Sequence, residues 1–342
     1  MTDQAFTLNT IRTRVRKIDF LEKPNLSDSG VLDSELAAAL RFLQDPATYL
    51  ADIQYETLGR MSIAQVRTYR SKLALRKIDE NLRAAKLSYS DDRRSVVQSL
   101  RSVLSDAVPF TLYKLDVRQF YESFDHDHVM KFLRSSQSVS NGTRRVVDVI
   151  LTNHLAGGYS GLPRGLSMSS TLSELMMQGL DRYIETHPEV FFYRRYVDDV
   201  TFVTSKREDT AKLLEDLGER LCDLSPKLTF KFRKSYQLSV KRFRVKDTKK
   251  ANSPVFESFD YLGYAFKVAV EKHRDVCPPG REVWLDIASK KVSKMKTRLT
   301  KCYLDYLDNH DFGLLNRRIR HLTSNMSLLD RSRGVRLSLI HI

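Results

Sequence analysis

Two runs of strand-forming residues, FFYRRY and VTFVT, are interrupted in this chain by a pair of aspartates, Asp198 and Asp199. Adjacent carboxylates repel each other, and each loses hydration when buried. A hairpin that turns at this point can aim both side chains into one space. A single continuous strand would send them to opposite faces. Asp-containing turns are common on their own. The pair gains weight from TLYKLDV, which alternates strictly: Tyr113, Leu115 and Val117 face one side, Lys114 and Asp116 the other. Three carboxylates from two strand segments can hold two divalent cations, because hard cations take oxygen ligands. Two such ions serve an in-line displacement at phosphorus.

Around these strands the periodicity changes several times. Residues 30–105 read as mostly helical, with few glycines and recurrent apolar spacing in LDSELAAALRFL and RRSVVQSLRSVL. DHDHVMKFLRS predicts a helix capped by Asp125, and SSQSVSNG (135–142) a loop before a helix through RRVVDVILTNHL. GGYSGLPRG predicts a glycine-rich turn into a helix over SSTLSELMMQGLDRYI. A further helix at AKLLEDLGERLCDL leads to strands near LTFKF, QLSVKRFRV and FDYLGYAFKV, with KDTKKANSP (246–254) as an exposed loop. From 285 onward the pattern is helical again. The whole is an α+β chain.

The chain carries 57 Lys and Arg against 42 Asp and Glu, a net +15, which points to a polyanionic partner and to nucleic acid before a membrane surface. The excess is uneven: 13 basic and 6 acidic residues lie from Arg281 to Ile342. In ASKKVSKMKTRLTKCYLDYL, Val292, Met295, Leu299 and Tyr306 share one helical face and Lys290, Lys294, Arg298 and Lys301 another. Such a stripe suits a duplex phosphate backbone. LLNRRIRHLTSNM adds Arg317, Arg318 and Arg320. Cys222, Cys277 and Cys302 are widely separated, and the amino terminus has no apolar core of a signal peptide, so a cytoplasmic protein with no membrane partner is expected.

The ordered series LDVRQFYESFD, GLPRGLSMSSTLSEL, YVDD, FRKS and YLGYAF resembles reverse transcriptases, specifically the bacterial kind, over roughly residues 70 to 330. The resemblance implies a right-hand polymerase with helical fingers, an antiparallel-sheet palm and a helical thumb. The expected boundaries are 1–105 for the N-terminal region and fingers, 106–270 for the palm with a finger insertion at about 130–165, and 271–342 for the basic thumb. It implies that Asp116, Asp198 and Asp199 bind two Mg²⁺ ions, with Mn²⁺ as a substitute, and that Lys234 of FRKS donates a proton to pyrophosphate. Tyr121 falls at the position of a steric gate that excludes a ribose 2′-hydroxyl, and the resemblance places Phe120 beside it among the nucleotide contacts. Arg164 and Gly165 lie in the loop that contacts template and nucleotide; its glycines, 161 and 165, let the backbone approach a ligand closely. Here Arg164 replaces the usual glutamine and Ser170 the usual proline. Tyr261 and Gly263 belong to the hairpin that grips the primer. Arg76 and Lys77, with Arg70, Lys72 and Arg93, are available to the incoming triphosphate.

The last helices resemble the thumb of antiviral and abortive-infection reverse transcriptases; retron and group II intron enzymes are more distant. That implies dNTP substrates, an RNA template with a DNA product, a dedicated non-coding RNA among the candidate templates, and an accessory defence protein or a second copy of the chain as partner. No ribonuclease H or endonuclease domain is expected in the stretch after the thumb, and a further domain beyond RLSLIHI stays open. Three other readings stand beside it. One is an untemplated or protein-primed DNA polymerase of abortive-infection type, for which Arg164 and Ser170 leave room. The others are an RNA-directed RNA polymerase, disfavoured by Tyr121, and a catalytically silent nucleic-acid-binding protein, disfavoured by three intact carboxylates.

Overall fold

A computed structural model describes residues 3–59, 61–85, 92–106, 108–231, 235–240, 255–270, 281–324, 328–330 and 335–337. In chain order the described elements begin with α1 (Leu8–Arg12), α2 (Lys17–Glu22), α3 (Ser29–Gln44), β1 (Ile53–Leu58), β2 (Met61–Val66), α4 (Tyr69–Arg83), α5 (Arg93–Leu104) and β3 (Phe110–Asp116). There follow α6 (His126–Ser135), α7 (Asn141–Ala156), α8 (Ser167–Glu185), β4 (Val190–Tyr196), β5 (Asp199–Thr204), α9 (Thr210–Leu224) and β6 (Tyr236–Val240). The rest are β7 (Phe256–Tyr261), β8 (Tyr264–Ala269), β9 (Val283–Ile287), α10 (Ser289–Asn309), α11 (Phe312–Ser324), β10 (Leu328–Asp330) and β11 (Val335–Leu337). Two compact units divide the chain: Met1–Ser90 with Leu112–Gln237, and Asp91–Thr111 with Leu238–Ile342.

In the first unit β4, β5 and β3 lie side by side in that order. The expected alternation holds on β3, where Tyr113 and Leu115 are buried and Lys114 and Asp116 half-buried. Helix α8 packs against α4, α9 and β4, contributing Leu172, Leu175, Met176, Met177 and Leu180 to the core. Helix starts follow local chemistry. The side chains of Asp125, Ser140 and Asp209 accept backbone N–H bonds at the N-termini of α6, α7 and α9, filling donors that the first turn leaves without a partner.

The stretch expected to be helical from 30 to 105 contains an antiparallel hairpin, β1–β2, paired from Ile53↔Val66 to Leu58↔Met61. Its residues alternate too weakly to show in the sequence; only Ile53 and Ala64 are buried. Long-range contacts hold it. The Tyr55 ring stacks on Tyr159 at 4.1 Å, its hydroxyl lies 2.9 Å from His154 Nδ1, and the Ala64 N–H donates to the Arg164 carbonyl at 2.7 Å.

In the second unit β7, β8 and β9 form an antiparallel sheet in that order. Strand β9 occupies residues read as the start of a helix; Val283, Leu285 and Ile287 are its buried face. The short pair β10–β11 likewise replaces helix after α11. Arg281, 3% exposed, donates to the carbonyls of Asp106 and Val108 just after α5 and lies 4.7 Å from the Phe110 ring centroid. Burial pulls its guanidinium down to about 10. Segment 246–254 and Lys234 lie outside the described residues.

Candidate active site and nucleic-acid interface

Strand β3 ends at Asp116, and the next N–H, that of Val117, donates to the Asp198 carbonyl at 3.1 Å. The β4–β5 turn is thereby tied to the end of β3, and all three aspartates lie at the same end of neighbouring strands. Tyr196 pairs with Asp199, leaving Val197 and Asp198 as a two-residue turn. Val197 takes φ +59°, a conformation that β-branched residues rarely adopt. Such strain, on the order of 1–3 kcal/mol, persists only where the surroundings over-determine it. Here they do: Arg195 Nη1 donates to the Val197 carbonyl at 3.1 Å. The same guanidinium, 5% exposed, is forked by Glu174 at 2.9 and 3.1 Å and by Asp181 at 2.7 and 2.8 Å, both on α8. Sequence reasoning passed over Arg195; its signal was an arginine inside an apolar strand facing a helix with acids seven residues apart.

Burial pushes the Asp199 carboxyl up to about 6; the neighbouring charges of Asp198 and Asp116 add to the shift, and Lys114 and Lys231 oppose it. Lys231 is the second residue missed. Its ammonium donates to Asp116 Oδ1 at 2.6 Å and its N–H to the Asp116 carbonyl at 2.7 Å. Where a strand was expected at LTFKF, the described residues 228–231 form a single bridge, Phe230 to Val117. Its alternation is nonetheless real: Leu228 and Phe230 are buried, which turns Lys231 to the carboxylate side. Among the described residues no three His, Cys, Asp or Glu side chains converge closely enough, as placed, to hold a metal ion. Asp116 is instead engaged by an ammonium. The donor chemistry fits a hard divalent cation: oxygen ligands only, half-buried, with burial and the neighbouring carboxylates raising Asp199, a cost that a cation would offset.

Five residues after Asp116, Tyr121 is half-buried and Phe120 is 3% exposed. Phe120 is therefore a core residue that meets the Tyr121 ring edge-on, not a nucleotide contact. The glycine-rich loop approaches the protein's own backbone, and no ligand is needed to account for its glycines. At Gly161, φ +73°, a Cβ would lie 2.2 Å from the Tyr121 carbonyl oxygen; at Gly165, φ +105°, 2.4 Å from that of Ala64. Arg164 is occupied as well, forking Glu122 with both bonds at 3.1 Å.

Arg76 and Lys77 do not face the site. Arg76 forks Asp19 at 2.6 and 2.8 Å, and Lys77, 1% exposed, donates to Glu80 and to the Asp3 carbonyl. A buried ammonium keeps its charge only with such partners, so both are structural. Arg70 pairs with Asp52, and Lys72 lies 3.8 Å from Glu22.

In the second unit, Tyr261 is 1% exposed, so its ring is core and cannot touch a primer; the β7–β8 turn presents Leu262 and Gly263, both at positive φ. Lys290, Lys294, Arg298 and Lys301 are exposed on α10, which buries none of its residues. Burial and the neighbouring Arg93, Arg298 and Lys294 push the Lys291 ammonium down. This places Arg93 in a basic cluster of the second unit. A cavity of about 590 Å³ between α10 and α11 gathers Arg298, Lys301, Arg317, Arg318 and His321, with Asp305 paired to Arg318. Arg320 is exposed on α11 outside that lining.

Among solved structures the chain is similar to telomerase from Candida tropicalis truncated from its C-terminal domain, at 13% identity and TM-score 0.39 over 63% of this chain and 53% of that one. It is also similar to telomerase from Candida albicans in complex with a fragment of telomeric RNA, at 12% identity and TM-score 0.41 over 79% and 52%. The chain thus spans about half the length of these structures. No curated protein matches the chain. Residues 60–266 match the family described as reverse transcriptase (RNA-dependent DNA polymerase), a span that contains Asp116, Tyr121, the glycine-rich loop and the β4–β5 turn. With an α+β architecture of the right-hand polymerase class around these residues, the chain belongs to the reverse transcriptase family.

Proposed function

We propose that the chain is an RNA-directed DNA polymerase that adds deoxynucleotides by two-metal nucleotidyl transfer. The observation that carries this reading is the Val117–Asp198 backbone bond, which ties the turn bearing Asp198 and Asp199 to the end of β3 at Asp116, where burial raises Asp199. Mg²⁺ or Mn²⁺ held by these carboxylates would supply Lewis-acid activation of the primer hydroxyl and neutralise charge on the departing pyrophosphate. The protein's own part is positioning. Arg195 fixes the turn that carries Asp198, Lys231 holds Asp116 and is a nearby cation for phosphate oxygens, and Tyr121 stands as the gate against a 2′-hydroxyl. Lys234 remains the proposed proton donor on its motif alone.

Fingers within 1–105, palm within 106–270 and thumb within 271–342 are assigned on the same reading. The α10–α11 cavity and the row from Lys290 to Lys301 supply the phosphate-binding surface of the thumb. The motif order and the basic thumb support the bacterial type, acting in antiphage defence in the cytoplasm on a dedicated RNA. The test is labelled dNTP incorporation by the purified chain, with and without an added RNA template and DNA primer. Wild type should extend only with template, and Asp198→Ala and Asp199→Ala should lose activity while remaining folded. Extension without template would select the untemplated reading, and activity in both variants would remove the metal site.

A further inference from the structure

Tyr121 is held by its neighbour Phe120 and by a loop far from it in sequence. The Phe120 ring meets it edge-on with centroids 5.3 Å apart, and the Arg164 guanidinium carbon lies 5.0 Å from its centroid. That guanidinium forks Glu122, the residue after the gate, through Nε to Oε1 and Nη2 to Oε2. The Tyr121 carbonyl accepts from the Leu162 N–H at 2.8 Å, and Gly161 leaves no room for a side chain there. The Arg164 carbonyl in turn accepts from Ala64 on β2. Ring, backbone and fingers hairpin are joined through one five-residue loop.

Resting on the polymerase reading above, we propose that Arg164 is a positioning residue for sugar selection: paired with Glu122, it holds the Tyr121 ring at the place where a ribose 2′-hydroxyl would fall. Exclusion of one hydroxyl is a steric difference, and a ring free to swing by an ångström cannot enforce it. Only a planar, always-charged fork can grip a carboxylate at two points and stack on a ring together. A glutamine at 164 is neutral and cannot fork Glu122 in this way. Both partners are about 30% exposed, so the pair adds little stability, and its geometry is what it contributes.

The test compares kcat/KM for dATP and ATP in single-nucleotide extension of a DNA primer on an RNA template. The proteins are wild type, Arg164→Gln, Arg164→Lys, Glu122→Gln, Tyr121→Ala and the double variant Tyr121→Ala/Arg164→Gln. Arg164→Gln and Glu122→Gln should each lower the dATP-to-ATP ratio by roughly tenfold. The change should fall mainly on KM for ATP, with Arg164→Lys intermediate. In the Tyr121→Ala background, Arg164→Gln should change the ratio no further, because the two act through one ring. A ratio unchanged in both single variants while Tyr121→Ala lowers it would overturn the role of Arg164 and leave the gate standing. Equal losses for both nucleotides, or full additivity in the double variant, would overturn it too. A wild type that extends with neither nucleotide, or with both alike, would sink the polymerase or gate reading itself and the clamp with it.

Discussion

Asp199 shows what a single residue contributes and costs. Its carboxyl is pushed up to about 6 by burial first and by Asp198 and Asp116 next, from 3.8 in an unfolded chain. Between these values the folded protein binds a proton that the unfolded chain releases, so stability falls as pH rises through that window and stays reduced above it. About two units correspond to an upper figure of roughly 3 kcal/mol. Asp199→Asn, in chelator, should therefore be more stable than wild type at pH 8 by up to that amount, and the advantage should vanish near pH 4. Urea unfolding at the two pH values reads this directly; equal stability at pH 8 would mean Asp199 is not held in a desolvated, crowded position. The same residue scale exposes where reading from sequence went astray. Arg76, Lys77, Phe120 and Tyr261 were plausible ligand contacts by type and position, yet Lys77, Phe120 and Tyr261 are buried and the half-buried Arg76 is engaged by Asp19. A charge or ring in a sequence does not reveal whether its partner is a ligand or Asp19.

At the scale of elements, the β4–β5 hairpin depends on α8. The hairpin itself was legible, because two strand-like runs flank a polar pair. Its strained Val197 was not, because the restraint comes from Arg195 and from acids 14 and 21 residues away. Arg195→Met should leave Glu174 and Asp181 half-buried without their cation and destabilise the protein by about 3–5 kcal/mol. Adding Glu174→Gln and Asp181→Asn should recover most of that loss, since no charge is then stranded. Denaturation midpoints of the single and triple variants check both statements; a triple variant as unstable as the single one would mean that the fork contributes through packing alone. The β1–β2 hairpin is the converse case. It carries little alternation of its own and exists because Tyr55 stacks on Tyr159 and β2 bonds to the glycine-rich loop.

For the whole molecule, +7 of the net charge of +15 lies from Arg281 to Ile342, where α10 and α11 display cations. Each phosphate neutralised releases condensed counterion, with a slope in log affinity against log salt of roughly −0.9 per contact on B-DNA. Lys290→Ala/Lys294→Ala should weaken binding of an RNA–DNA duplex and flatten that slope by about one to two. Anisotropy across a salt series measures it. An unchanged slope would reduce this part of the row to a solvated face and leave Arg298, Lys301, Arg317 and Arg318 around the cavity as the duplex path.

Local chemistry, written in neighbouring residues, determined the strand that ends in Asp116, the turn at Asp198, the caps of α6, α7 and α9 and the basic helix α10. Each depends on spacing within a few residues, because alternation, helical period and capping are set by the backbone's own geometry. Tertiary structure alone decided that Lys231 meets Asp116 across 115 residues and that Arg164 grips Glu122 across 42. It also decided that the loop glycines face the chain's own carbonyls. Those pairings arise only when separate elements pack, and the residues that make them carry no periodic signal before they do.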